Sequence, residues 1–295
     1  MNLQPLFPTP IVSVTQFPDT HPGQASFVWL VETESERAIV RTTRMSKEPA
    51  DEFWHGCLSL FGIDPTDVFA LEAVNESLRQ TSLIPVPKVL RTDSLNGVPF
   101  AIVEVLPGQT VQSFSALPVS ASYQLGKSIA SIHQLQRVTC GNFRGTVRYP
   151  ASEFHTKVAG VMPLLTARYH AEDTEITEAL GGFVTAARTI PSPPTAVPVL
   201  LDLDPTQFIA ADGALTGLVD TEVYAYGPAE LDLIALEYLL DSPRAKAFQE
   251  GYKAVLPFPN LSAVRGLYRF LNRILSVQGP IPLQQWMNHP IRFNS

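Results

Sequence analysis

Residues 199–240 read VLLDLDPTQFIAADGALTGLVDTEVYAYGPAELDLIALEYLL, and this stretch decides the fold. An apolar run leads into Asp202, and Pro205 follows it. A second run, QFIAADGALTGLVD (207–220), carries Asp212-Gly213 at its middle and ends in Asp220. That dipeptide predicts a hairpin turn, because both residues tolerate positive φ. The third piece, ELDLIALE (230–237), predicts a helix with Asp232 near its start. Strand and hairpin ends thus bring Asp202, Gln207 and Asp220 to adjacent loops, where they can converge. Phosphoryl transfer from a nucleotide needs such a set. One carboxylate orients or deprotonates the attacking hydroxyl, while a second carboxylate and an amide oxygen hold Mg²⁺ on the phosphates.

Working outward, the N-terminal part is strand-rich. Residues 1–22 hold five prolines and are expected to be an irregular, partly extended lead-in. GQASFVWLV (23–31) and AIVRTTR (38–44), joined by ETESER, predict an antiparallel hairpin. Residues 66–82 switch to helical spacing through Leu71, Val74 and Leu78. Pro85 and Pro87 end that helix. Asn96-Gly97 marks a turn before VPFAIVEVL, a buried strand closed by Pro107-Gly108. Beyond it, Leu125, Ile129 and Ile132 place a helix over 120–136, and helices are expected in 151–189, 229–253 and 261–276. The expectation is an α+β chain with a small β-rich lobe (1–106) and a larger helical lobe (107–295).

The ordered set of motifs resembles the aminoglycoside phosphotransferase and choline kinase family, which shares the protein-kinase-like bilobal fold. That family's catalytic loop reads H-G-D-x-x-P-x-N; LLDLDPTQ (200–207) is similar to it in the Asp, the Pro and the spacing. GLVDTE (217–222) is similar to its metal loop, G-x-I-D-W-E, and GPAELDLIALE to its G-D-P-x-x-D-L-A segment. The resemblance implies Asp202 as catalytic base, Asp220 as the principal Mg²⁺ ligand, Gln207 as the second, and Asp232 as an acid bracing the catalytic loop. It also implies ATP or another nucleoside triphosphate as phosphate donor. Gly23 would lie in the nucleotide loop, Arg41 on the phosphates, and Glu72 beside Arg41 as its helix partner. Backbone groups around Glu104 and Leu106 would hold adenine. The resemblance covers roughly residues 23–275, and it puts acceptor specificity near residues 140–190.

The sequence departs from the family pattern at four places. Leu200 replaces the His of the catalytic loop, Gln207 replaces Asn, Arg41 replaces Lys, and Gly23 stands where two glycines are frequent. Two expectations follow. One is an ATP- and Mg²⁺-dependent kinase that phosphorylates a hydroxyl of a small molecule. The other is a degenerate relative that binds a nucleotide, a metabolite or a partner without transfer. A protein kinase is disfavoured, because no D-F-G to A-P-E segment is present.

Composition sets the outer limits. The 295 residues are 45% hydrophobic and 17% charged, with a net charge of −7. That is a globular composition with ample core material. Residues 201–250 hold ten acids against two bases, so the acidity concentrates around the expected site. This disfavours nucleic acid and favours a cationic or neutral acceptor. No apolar run approaches a membrane span, and no secretory leader is evident in MNLQPLFPTP. Cys57 and Cys140 read as small buried hydrophobes, which suits a cytoplasmic setting. His133 reads as a satisfied core histidine. Phe69, Phe183, Tyr238, Tyr268 and Phe270 read as core, with Trp286 a candidate to lie over the cleft.

Overall fold

The computed structural model describes residues 1–18 and 25–293. The Pro-rich lead-in, expected to be irregular and partly extended, carries regular elements within residues 1–18. A 3₁₀ turn at Gln4–Leu6 tucks Leu3, Leu6 and Phe7 under the first sheet, and β1 (Ile11–Gln16) becomes its edge strand. The prolines sit outside the ladder, at Pro5, Pro8 and Pro10, so they do not remove a strand hydrogen bond.

The expected hairpin is β2 (Ser26–Thr33) with β3 (Arg37–Thr43), paired antiparallel with Val28 opposite Arg41. In β3 the buried residues alternate, Ala38, Val40 and Thr42 facing in. Helix α1 (Glu52–Phe61) was not anticipated, although its signals are present in the sequence. The Asp51 carboxylate caps it by accepting from Trp54 N at 2.9 Å, and Gly62 ends it at φ 71°. Helix α2 (Ala70–Thr81) follows the predicted spacing, burying Leu71, Val74 and Leu78.

Strands β4 (Val89–Leu95) and β5 (Val98–Glu104) close a tight hairpin in which Asn96 and Gly97 take φ 53° and 80°. The first sheet runs β1-β2-β3-β5-β4. Trp29, Val31, Val40, Phe100 and Ile102 make its buried layer. Each such side chain contributes about 1.5–3 kcal/mol on burial.

The chain leaves this sheet at Glu104 and makes a short β6 (Gln109–Thr110). Helix α3 (Val119–His133) leads to the hairpin β7 (Thr139–Asn142) and β8 (Arg148–Pro150), then to α4 (Phe154–Tyr169) and α5 (Thr174–Thr189). Strand β9 (Val197–Leu200) precedes the hairpin β10 (Phe208–Ala211) and β11 (Ala214–Leu218), with Asp212 and Gly213 at φ 51° and 77°. Next come β12 (Tyr224–Gly227), α6 (Glu230–Leu239), α7 (Ser242–Lys253), α8 (Arg265–Ile274) and a short α9 (Leu283–Met287).

Two small sheets frame the site, β11-β10-β6 and β8-β7-β12-β9. Pairing of Thr110 with Ile209 ties the segment just past β5 to the β10–β11 hairpin. Helix α1 packs with the larger lobe, its Phe61 ring 5.8 Å from Phe154. Helices α3 and α7 cross closely through glycine. A Cβ on Gly126 would strike the Phe248 carbonyl, and one on Gly251 would strike that of Tyr123.

Phe69 is exposed, at the start of α2, rather than core. Trp286 is not over the cleft. It is 1% exposed, stacked on Tyr238 and donating from Nε1 to the Arg269 carbonyl at 2.6 Å. Among the described residues no helix is long and apolar enough to cross a membrane.

Candidate active site

A cleft of about 280 Å³ opens where β2, β3 and β5 face the loops that follow β9 and β11. Arg41, Glu104, Asp202, Gln207 and Asp220 all line it. Gly23 lies outside the described residues. Glu72 does not line the cleft.

The loop after β9 carries Asp202 into the cleft. What holds the loop is Asp232, near the start of α6. Its Oδ1 accepts from Leu200 N at 2.8 Å, and its Oδ2 lies 3.2 Å from His133 Nε2. His133 Nδ1 in turn meets the Tyr252 hydroxyl at 3.0 Å. Asp232 and His133 are each 1% exposed. The loop is thus braced from α6 through Asp232, with His133 of α3 behind that carboxylate. Burial pushes the Asp232 carboxyl up, and the His133 contact opposes that shift.

Asp202 itself has no hydrogen-bond or ion-pair partner among the described residues. Burial, and then the negative charge of Asp204, Asp220, Glu222 and Asp51, push its carboxyl up to about 8. A half-buried carboxyl with no donor and four acids around it is poised to accept a proton or hydrogen bond from a hydroxyl.

Asp204 opens a short 3₁₀ turn, Pro205–Gln207, as a capping box. Its carboxylate accepts from Thr206 N at 2.8 Å, and Gln207 Oε1 accepts from Asp204 N at 3.1 Å. One lone pair of the Gln207 oxygen is thus committed to the loop.

Asp220 caps the turn Thr221–Val223 in the left-handed region, at φ 53° and ψ 45°. Such a conformation costs a non-glycine residue on the order of 1–2 kcal/mol. Two sets of contacts offset it. Val219 N donates to Gln207 O at 2.8 Å, and the Thr221 hydroxyl donates to Asn75 Oδ1 on α2. Asn75 Nδ2 donates to Pro87 O at 2.9 Å, fixing α2 against the approach to β4.

Arg41 meets two carboxylates: Nη1 lies 2.6 Å from Asp220 Oδ1, and Nη2 lies 2.5 Å from Glu222 Oε1. Burial works to lower the guanidinium's pKa, but Glu222 and Asp220 outweigh it and hold it above its usual value. The expected Arg41–Glu72 pair is corrected here. Glu72 is on the solvent face of α2. One helical turn on, Asn75 is the polar residue of α2 that points inward. Sequence reasoning missed Glu222 as the partner of Arg41, and Asn75 altogether. The signal for Asn75 was its place one position after Val74, inside the buried stripe.

At the end of β5, Glu104 N donates to Lys88 O at 2.9 Å, and Glu104 Oε2 accepts from Lys88 N at 3.0 Å. These bonds clamp β5 to the segment before β4. The Leu106 amide has no partner among the described residues.

Among the described residues, no three or more His, Cys, Asp or Glu side chains are grouped to hold a metal by themselves. Asp220 Oδ2 is unengaged, and the acids around Asp202 outnumber the one guanidinium.

Comparison with known proteins follows the same outline. None of the curated proteins compared with the chain matches it. Among solved structures it is similar to the macrolide 2′-phosphotransferase of Brachybacterium faecium. That match has 15% identity and a TM-score of 0.57, covering 95% of this chain and 93% of that one. It is similar to an aminoglycoside 2′-phosphotransferase solved with GDP, at 14% identity and TM-score 0.64, covering 97% and 92%. It also resembles a spectinomycin phosphotransferase solved with ADP and spectinomycin, at 11% identity and TM-score 0.62, covering 91% and 82%. These likenesses establish the kinase-like α+β fold. The model of the phosphotransferase enzyme family matches residues 20–267, and the chain belongs to that family.

Proposed function

We propose that the protein transfers a phosphoryl group from ATP or another nucleoside triphosphate to a hydroxyl of a small molecule. The observation that carries this is the Asp202–Asp220–Arg41 arrangement in one cleft, with Asp202 unpartnered and raised to about 8. Asp202 accepts the hydrogen bond of the acceptor hydroxyl and orients it toward the γ-phosphate. Arg41 is a bidentate phosphate partner once its fork turns from Asp220 and Glu222 to the nucleotide. By the family resemblance, backbone groups around Glu104 and Leu106 would hold adenine; of the two residues Glu104 lines the cleft and Leu106 does not.

The donor set fits Mg²⁺, which uses one or two carboxylates and takes its other oxygens from phosphates and water. Asp220 would hold it through the unengaged Oδ2, with Gln207 using its remaining lone pair. Bound there, the ion neutralises charge on the β- and γ-phosphates.

Asp51, Asp204 and Asp220 surround Asp202, so a cationic or neutral acceptor suits the site better than an anionic one. The similar proteins named above carry macrolide, aminoglycoside and spectinomycin in their names, which supports a small-molecule acceptor of that kind.

A second reading has its own support. Gln207 Oε1 is committed to Asp204 N, and Arg41 already occupies Asp220 Oδ1. A chain locked in that state binds nucleotide or metabolite without transfer.

Thermal melts with and without Mg·AMP-PNP test nucleotide binding. At about 100 times Kd the ligand adds about 2.7 kcal/mol, and Asp220→Ala should abolish the shift. If no nucleotide raises the wild-type melting temperature, the kinase reading fails.

A further inference from the structure

Beyond residue 267, where the match to the family model ends, the chain makes a turn that returns to the Asp202 loop. Helix α8 is capped at Leu275, and Ser276 takes the left-handed backbone at φ 50°. Val277 N donates to Asn272 O at 3.1 Å and Ser276 N to Arg273 O at 3.0 Å, the pair of bonds that closes a helix through a left-handed residue. Gly279 N then donates to Ser276 O at 2.8 Å. The backbone of residues 276–279 is thus set by its own hydrogen bonds.

Two side chains of this turn reach elements beside the cleft. The Ser276 hydroxyl donates to Glu52 Oε1, in the first turn of α1. Gln278 Nε2 donates to Leu203 O at 3.1 Å. Leu203 directly follows Asp202 in the loop.

The second bond is the more consequential. Leu203 is 0% exposed, so water does not serve its carbonyl. Among the described residues Gln278 is the one donor to it. A buried carbonyl that loses its partner is costly, and the backbone shifts to find another. Gln278 itself is only half-buried, so its amide could turn to solvent; the need for the bond lies on the loop side.

The other anchors of the loop are also on its backbone. Asp232 accepts from Leu200 N, and Gln207 Oε1 accepts from Asp204 N. With Leu203 O held as well, the chain is fixed on both sides of Asp202, whose own carboxyl has no partner. An unpartnered side chain keeps its direction only if the backbone beneath it is held, and a displacement near 1 Å at a reacting group lowers rates about 100-fold.

We propose that Gln278 is a positioning residue for phosphoryl transfer, holding Leu203 O and so fixing the backbone from which Asp202 reaches into the cleft. This role rests on the phosphotransferase reading. It makes the turn after α8 a working part of the site, although it lies about 75 residues downstream of the loop.

The test compares Gln278→Met, which keeps the length and loses the donor, with Gln278→Lys, which keeps a donor. Hydrogen exchange of the full chain reads the loop directly. Turnover is read with Mg·ATP and a panel of amino alcohols and amino sugars. Gln278→Met should exchange the amides of residues 200–206 about tenfold faster, with α8 unchanged. It should also lower kcat about tenfold, while nucleotide KM stays within about twofold. Gln278→Lys should restore much of both. Thermal melts check that each variant is folded, and Gln278→Asn, too short to reach Leu203 O, is a second variant without the bond. Unchanged loop exchange or unchanged kcat in the variants without the bond, a loss in KM equal to that in kcat, or no recovery in Gln278→Lys overturns the proposal. If the wild-type chain phosphorylates no acceptor, the phosphotransferase reading fails, while the exchange comparison still decides whether Gln278 holds the loop.

Discussion

Arg41 Nη1 lies 2.6 Å from Asp220 Oδ1, joining the middle of β3 to the loop after β11. This contact closes the cleft from the small lobe to the large one. Among the described residues Arg41 carries the one guanidinium that touches Asp220, and the proposed function puts the nucleotide's phosphates beside it. Arg41→Ala removes both functions. Nucleotide affinity should fall about tenfold or more. Stability should fall by about 1–3 kcal/mol: Asp220 is half exposed and remains solvated, but the more buried Glu222 loses its cationic partner. Titration calorimetry and a thermal melt read the two effects separately.

Asp202 makes stability depend on pH. Its carboxyl is raised from 3.8 to about 8, so between these values the folded chain keeps a proton that the unfolded chain has lost. This contribution is full below about pH 4 and is lost as pH rises through about 8. Asp202→Asn has no such group. The melting temperature of wild type minus that of the variant should therefore decline steadily from pH 5 to pH 8.5, and a flat difference would contradict the assignment. In turnover, kcat/KM for the nucleotide should rise through the same region, since the free enzyme must lose that proton.

Asp232 is a positioning residue, acting through the Leu200 amide rather than on substrate. Asp232→Ala leaves Leu200 N and His133 without their partner, and should cost about 2–4 kcal/mol and lower kcat. Nucleotide KM should change little. Asp232→Asn, whose Oδ1 can still accept from Leu200 N, should recover much of kcat. A loss in KM equal to that in kcat would show that the loop position is not what Asp232 controls.

Glu72 and Asn75 give opposite expectations one helical turn apart. Glu72→Gln should leave nucleotide affinity and stability nearly unchanged, within about 0.5 kcal/mol, because Glu72 faces solvent. Asn75→Ala severs the bonds to Pro87 O and Thr221 Oγ1 and should cost about 1–3 kcal/mol. Parallel denaturant titrations of the two variants check this.

Much of the fold was legible because its turns are chemically marked. Asn96-Gly97 and Asp212-Gly213 both adopt the positive φ that their sequence foretold. The strands they join alternate or run apolar as expected. Helix α1 was overlooked even though Asp51 and Gly62 are ordinary cap residues and Trp54, Cys57, Leu60 and Phe61 form a buried stripe; the apolar Phe53 and Leu58 lie outside that stripe and blur its period. Strand β1 was hidden by prolines that lie just outside it.

In the site, Asp202, Gln207 and Asp220 come together because each follows a strand or hairpin whose end is fixed by local pattern. The partner of Arg41 was not legible. Choosing between Glu72 and Glu222 depends on how α2 is rotated about its axis and on the left-handed backbone at Asp220, neither of which periodicity records.

The most direct test is phosphorus NMR of the full chain with Mg·ATP and a panel of cationic and neutral hydroxyl-bearing small molecules. The account predicts a phosphomonoester resonance for at least one acceptor, formed about 100-fold or more slowly by Asp202→Asn. Mg·ATP bound without any phosphomonoester across the panel, or equal rates in wild type and Asp202→Asn, would contradict it.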